Sequence, residues 1–357
     1  MKKRIAIVCN YTLQPDRLGG MDRFYKMYDE VLKKKEYEVE WFFTKAEKYN
    51  FYKDLTIYHA NGASVEMYFL DHIKNNKVKY DTVVSHFTEL CTPFYKKLKQ
   101  VINPYIICVD HNPRPLNGFP LKKRLKKRLS GFLYSKYIDA FIGVSQYTVN
   151  HIINDFGAHL KSKTKVVYNG IDTNVFNKRI TENKNTFIVA SHLRESKGIQ
   201  DLLKALSLLP NKILKEVEID IYGEGPYEDD LKKMSNDFSL NNTVFFKGSS
   251  PNLNELFCKY RYMLQPTYME CFSLSILESL SANIPVITTT VGGNLEVIKD
   301  GVNGYIHNPG DVNKLSVIIK DIVEEKKAIN IDTSDIIKEQ FYLEKMVDDH
   351  VNLLPCM

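Results

Sequence analysis

Two doubly wound α/β units, each a parallel sheet between layers of helices, follow from three features of this chain. Short β-branched apolar runs alternate with longer segments striped at about 3.6 residues, the helical period. Several of the short runs are apolar on nearly every residue, as strands covered on both faces are. The 357 residues also exceed what one hydrophobic core ordinarily organises.

Strands are expected at 4–10, 38–44, 81–87, 105–111, 140–145 and 165–170, then at 186–193, 217–223, 244–248, 262–266, 285–290 and 304–307. Between them run helical stripes such as Phe24, Met27, Tyr28, Val31 and Leu32, or Leu202, Leu203 and Leu206. The polar stretch 177–185 cannot supply much core and divides the chain into 1–176 and 177–337. A last helical pattern, about 338–357, carries Phe341, Val347, Val351 and Leu354 and is assigned to the first domain.

Composition narrows the function classes. With 44% hydrophobic and 26% charged residues the chain reads as an ordinary globular protein. Its six cysteines, Cys9, Cys91, Cys108, Cys258, Cys271 and Cys356, are scattered with no C-x-x-C pair, which argues against zinc and disulfides and for a reducing cytosol. The run Ile5-Ala6-Ile7-Val8-Cys9 is too short for a signal sequence and reads as a buried first strand. No stretch approaches the ~20 apolar residues of a membrane helix, so any membrane contact is expected to be peripheral.

The net charge of +6 is unevenly placed. No acid stands between Asp110 and Asp139, while six of the seven residues 122–128 are basic. Leu121, Leu125, Leu129, Phe132 and Leu133 recur through this run at helical spacing. One reading is a solvated helix face above an ordinary buried stripe. The other is a surface, from Leu121 to Leu133, that rests on anionic lipid or lies near an anionic lipid-linked substrate. Nucleic acid is not expected, for no aromatic platform or recognition motif accompanies the charge.

Ligand chemistry is expected where strands meet loops. Leu18-Gly19-Gly20-Met21-Asp22 opens a helix after the first strand, and Gly20 would let the backbone approach an anion. His111 stands at the carboxyl end of a strand, the edge where open α/β sheets bind ligands. Arg194 and Lys197 lie in the loop after the strand at 186–193 and are candidates for holding a diphosphate. Gly223-Glu224-Gly225-Pro226 is a strand-to-helix loop against which a nucleoside could pack, although Glu228 replaces the third glycine of a dinucleotide fingerprint. Glu270 and Glu278 flank Cys271 to Leu277 at a further strand-loop-helix junction, as carboxylates suited to sugar hydroxyls. Ser275 three residues before Glu278 also fits a capping box, a structural alternative for that glutamate. The chain has no D-x-D pair and no metal-spaced cluster, so a departing diphosphate would be neutralised by Arg194, Lys197 and the amides of Phe272, Ser273 and Leu274.

In order and spacing these pieces resemble glycosyltransferase family 4, the retaining enzymes of the GT-B fold, over essentially the whole length. The resemblance rests on Gly19-Gly20, His111, Gly143-Val144-Ser145, Tyr168-Asn169-Gly170-Ile171-Asp172, Lys197-Gly198, Gly223-Glu224-Gly225-Pro226, Glu270 with Glu278, Pro285-Val286, Gly292-Gly293, Glu296, Asp300-Gly301 and Asn303-Gly304. It implies two Rossmann-like domains facing a central cleft, an acceptor in the first and a nucleotide-sugar in the second. By the same resemblance Glu270 would touch the donor sugar, Phe272, Ser273 and Leu274 would offer amides, and Glu278 would hold the ribose. Lys197 would hold the diphosphate, His111 would lie beside the sugar, and Gly20 would approach the phosphate. Ser191-His192-Leu193 replaces the family's usual glycine-arginine-leucine, so Arg194 or His192 takes the missing arginine's place.

The expected function is retaining, metal-independent transfer of a hexosyl or N-acetylhexosaminyl group, without cofactor, from a nucleoside diphosphate to a saccharide or lipid-linked acceptor. The setting implied is cytoplasmic, peripheral on the inner membrane face, in bacterial surface polysaccharide assembly. Alternatives are a non-catalytic nucleotide-sugar-binding subunit, or an epimerase or phosphorylase on the same architecture.

Overall fold

The computed structural model describes residues 2–14, 18–47, 50–179 and 185–355. Residues 180–184 of the expected boundary stretch, and Cys356, lie outside the described residues. The chain forms two compact units, Met1–Gly170 with Leu343–Met357, and Ile171–Tyr342. The division falls six residues before the expected one.

In the first unit β1 (Arg4–Thr12), β2 (Glu38–Lys45), β3 (Ile57–His59), β4 (Thr82–His86), β5 (Tyr105–Asp110), β6 (Ala140–Gly143) and β7 (Thr164–Val166) form one parallel sheet in the order β3-β2-β1-β4-β5-β6-β7. Ile5 to Cys9 are fully buried, as an all-apolar central strand requires. The helix Gly20–Lys34 turns Phe24, Tyr28 and Leu32 inward at four-residue spacing. The helix Leu343–Val351 lies beside it, with the His350 ring 4.8 Å from that of Phe24. The tail expected as one helix is two: Asp335–Gln340 belongs to the second unit and Leu343–Val351 to the first.

The second unit repeats the winding. Strands β8 (Thr186–Ala190), β9 (Glu218–Tyr222), β10 (Val244–Gly248), β11 (Tyr262–Gln265), β12 (Val286–Thr289) and β13 (Gly304–His307) run parallel in the order β10-β9-β8-β11-β12-β13. Ile199, Leu202, Leu203 and Leu206 of the helix Ile199–Ser207 fill its core with Phe187, Ile219 and Leu264. Strand order therefore reverses between β1 and β4 and again between β8 and β11. The crevice outside the carboxyl ends at such a reversal is where this architecture binds ligands.

One expectation is overturned. The basic helix forms as Leu121–Tyr134, but its apolar stripe is not buried: Leu121, Leu125, Leu129, Phe132 and Leu133 are all exposed. Gly131 faces inward instead, where a Cβ would lie 2.0 Å from the Phe156 carbonyl oxygen. Glycine there lets the helix sit so close to Gln146–Phe156 that the leucines are rotated to the opposite side.

Candidate functional site

At the reversal point of the second sheet, the chain leaves β8 through Ser191 to Gly198 and leaves β11 through Pro266 to Ser273. Gly198 brings these loops together. It takes the left-handed conformation (φ +71°), and a Cβ on it would stand 1.8 Å from the Pro266 carbonyl oxygen. Any larger residue would push the loops apart. Across this contact the Tyr268 amide donates to the Ser196 carbonyl at 2.9 Å, the Thr267 hydroxyl donates to the same oxygen at 3.2 Å, and the Tyr268 hydroxyl donates to Asp201.

Lys197 and Glu270 meet as a result. Lys197 Nζ is 2.9 Å from Glu270 Oε2, and both side chains are mostly shielded from solvent. Glu270 Oε1 accepts the Cys271 amide at 3.2 Å. The loop after β12 supports the glutamate from behind. Gly292, at φ +65°, passes so near that a Cβ would be 2.2 Å from the Glu270 carbonyl oxygen, and the Gly293 amide donates to the Cys271 carbonyl at 2.8 Å.

The helix that follows is Leu274–Ser281, capped by Ser273, whose Oγ accepts the Ile276 amide at 3.4 Å and the Gln265 Nε2 at 2.6 Å. This corrects the capping-box alternative: Ser275 lies inside the helix, and Glu278 is a half-buried mid-helix residue. The amides of Ser273 and Leu274 open the helix, where the helix offers no acceptor of its own and its dipole favours an anion. Phe272 is buried and packs on Phe341, with ring centroids 5.3 Å apart.

Gly223 stands behind the same loops. The Leu193 amide donates to the Glu224 carbonyl at 2.9 Å, and the Gly223 amide to the Gly248 carbonyl at 2.8 Å. Lys247 is joined to Asp220 at 3.2 Å. Of the two cations in the β8 loop, Lys197 reaches Glu270 and Arg194 is exposed; His192, in the same loop, is half-buried.

The first unit holds His111 and Gly20. Gly20 is the first residue of its helix, but its neighbour's amide is occupied: Gly19 N–H donates to Asp22 Oδ2 at 2.7 Å. His111 follows β5, stacked on Phe87 at 4.1 Å, with its Nε2 3.1 Å from Nδ1 of His86. His86 ends β4 and lies 5.9 Å, centroid to centroid, from His350. Burial opposes a charge on each of them: His111 is pushed down to about 3, with His350 contributing, His350 to about 4, and His86 well below the usual range. His350 donates from Nδ1 to the Met346 carbonyl at 2.8 Å.

Beneath His111, buried Arg114 donates to Asp110 Oδ2 at 2.7 Å and to Asp155 Oδ2 at 2.8 Å. These two carboxylates hold its guanidinium charged despite the desolvation that opposes it. Sequence reasoning passed over His86, His350 and Arg114. The signal for His86 was a polar Ser85-His86 ending the apolar strand Val83-Val84. Nothing local points to His350, which reaches the cluster through the return of the chain to the first unit.

Residues 170–339 match the family described as "Glycosyl transferases group 1", and residues 19–175 match "Glycosyltransferase Family 4". The chain belongs to the family 4 glycosyltransferases. Among curated relatives of this family, "N-acetyl-alpha-D-glucosaminyl L-malate synthase" of Bacillus anthracis is 30% identical over 202 residues, 52% of each chain. "Poly(glycerol-phosphate) alpha-glucosyltransferase" of Bacillus subtilis is 27% identical over 232 residues, 64% of this chain and 34% of that one. The chain thus spans about half and about a third of these relatives. The fold is that of the GT-B glycosyltransferases. Anabaena Alr3699/HepE, solved with UDP-glucose, superposes with a TM-score of 0.78 at 18% identity, covering 98% of this chain and 100% of that one. Sucrose-phosphate synthase from Thermosynechococcus elongatus does so at 0.79 and 14%, covering 99% and 98%.

Proposed function

We propose that this family 4 glycosyltransferase moves a sugar from a nucleoside diphosphate to a saccharide acceptor, with retention and without a metal. The observation carrying this reading is the Lys197–Glu270 pair at the reversal point of the second sheet, with the first amides of the helix Leu274–Ser281 on the same loop. A diphosphate is dianionic or more, and Lys197 with those amides is a set of donors suited to the charge that develops as it leaves. Glu270 then accepts from sugar hydroxyls, and Glu278 from the ribose. In the step itself, the bond from the anomeric carbon to the diphosphate oxygen breaks and the acceptor oxygen bonds to the same face. The acceptor proton passes to the departing phosphate oxygen, so no covalent enzyme intermediate is needed. His111 and Gly20, in the first unit, are kept as candidates for contacts with the sugar and the phosphate. His192 and Arg194 are the remaining candidates for a second phosphate contact.

The solved neighbours with UDP and UDP-glucose support a uridine donor, and the B. subtilis relative supports transfer of a hexosyl group. We place the reaction on the cytoplasmic side of a bacterial membrane, with a lipid-linked oligosaccharide of surface polysaccharide assembly as acceptor. The second reading is a non-catalytic nucleotide-sugar-binding subunit; three relatives at 29–32% identity are named GtfA subunits of a peptide N-acetylglucosaminyltransferase, a name that supports a place in a complex.

A thermal-shift panel of UDP-, GDP- and ADP-sugars, with and without chelator, tests the donor, since a ligand bound only by the folded state raises Tm. NMR of the product anomer tests retention. A shift that needs added magnesium or manganese, or a product of inverted configuration, overturns the reading. Donor binding without transfer or donor hydrolysis favours the subunit.

A further inference from the structure

We propose that the helix Leu121–Tyr134 is an interfacial anchor that lies on an anionic lipid bilayer, tied through a buried charge chain to the loop that carries His111. On a helix of about 3.6 residues per turn, Leu121, Leu125, Leu129 and Phe132 fall on one side and Lys127, Gly131 and Tyr134 on the other. The inward side is fixed by the Gly131 contact with the Phe156 carbonyl. The outward residues are 68%, 62%, 58% and 76% exposed, so a line of large apolar side chains faces solvent along the helix. An apolar row of this kind ordinarily marks a docking surface.

Charge selects the occupant. Arg124 and Arg128 border the row on one flank, Lys122 and Lys126 on the other, and all four are exposed. Long cationic side chains beside an inserted apolar row reach back to the level of lipid phosphates, the arrangement of a helix lying in an interface. A neutral protein partner would leave these charges unpaired.

Lys127 is the exception within the run, being half-buried. Its Nζ lies 3.4 Å from Asp155 Oδ2 and over the rings of Phe119 and Phe156, at 4.9 and 4.6 Å. Asp155 also takes Arg114, and Arg114 takes Asp110, the residue before His111. The anchor and the carboxyl end of β5 are therefore one braced body, and lipid contact sets the height of His111 above the membrane surface.

Co-sedimentation of the intact protein with sucrose-loaded vesicles tests this. The wild type should bind vesicles containing phosphatidylglycerol and be released by salt, which screens the attraction. The variant Leu125→Ser/Phe132→Ser changes only exposed positions and should lower partitioning roughly tenfold or more. Lys122→Ala/Lys126→Ala/Arg128→Ala should lower it about fivefold per charge, from ~1 kcal/mol for each surface cation. Equal binding to pure phosphatidylcholine, or undiminished binding by the Ser variant, overturns the proposal. So does a wild-type dimer that the Ser variant converts to monomer, which would assign the row to a second copy. UDP-glucose binding by thermal shift is read in parallel; its absence sinks the donor reading and leaves the vesicle result standing.

Discussion

Lys197 Nζ and Glu270 Oε2 stand 2.9 Å apart because Gly198 allows the backbone of one loop to rest on the Pro266 carbonyl of the other. The cation and carboxylate are thus positioned by a third residue that carries no functional group. In the proposed reaction the diphosphate draws the lysine away, leaving the carboxylate to the sugar.

Lys197→Ala should lower turnover by roughly 10²–10³-fold, the range for losing one aimed electrostatic contact. Circular dichroism should show a native fold. Steady-state transfer at saturating donor is the measurement, and near-normal turnover would remove Lys197 from the mechanism.

Glu270→Gln keeps the shape of the side chain and breaks the ion pair. Lys197 is then released to a phosphate, so UDP alone should bind as tightly as to the wild type or more so. Turnover should fall roughly tenfold or more, because a carboxylate accepts hydroxyl protons better than an amide does. Calorimetric titration with UDP separates the effects; a lost UDP site would mean that Glu270 acts on the nucleotide or on the loop itself.

Gly198→Ala is expected to cost about 1–3 kcal/mol, through the positive φ and the collision with Pro266. The second unit should melt roughly 2–4 °C lower for each kcal/mol. An alanine variant as stable as the wild type would show that the two loops are not in contact.

The histidine cluster makes the first unit acid-sensitive. His111 and His350 are held down to about 3 and 4 in the folded chain, and His86 well below its usual range, against about 6.5 when unfolded. From about pH 6.5 down to about pH 4 the unfolded chain therefore binds protons that the folded chain does not. Stability present above pH 6.5 is lost on acidification, at about 1.4 kcal/mol per pH unit for each histidine. Trp41, the sole tryptophan, is buried in this unit and donates to Asp29 Oδ1 at 2.9 Å, so its fluorescence reports unfolding there. His86→Phe should flatten the slope by about one proton; an unchanged slope would exclude His86 from the linkage.

Most of the architecture was legible because buried parallel strands announce themselves as unbroken apolar runs. The strand missed, β3 (Ile57–His59), has three residues and only half-buried side chains at the sheet edge, too little pattern to register. The basic helix was legible as a helix but not in its rotation, since that depends on Gly131 against Phe156, 25 residues on. Glu270 and Lys197 were each visible as loop residues after strands. Their pairing was not, because it depends on β8 lying beside β11 and on the approach made at Gly198. Ser273 as the helix cap was likewise hidden behind the equally plausible Ser275. His350 was out of reach, being joined to His86 and His111 by tertiary structure alone.

The helix Leu343–Val351 has a bearing on biosynthesis. During translation the lobe holding Phe24, Tyr28 and His86 waits, unsealed, while the whole intervening lobe emerges from the ribosome. Its hydrophobic plug, Leu343–Val351, arrives only after that lobe has been made. A nascent chain arrested near Gly170 would show an open aromatic patch to chaperones, and appending residues 343–355 in trans should close it.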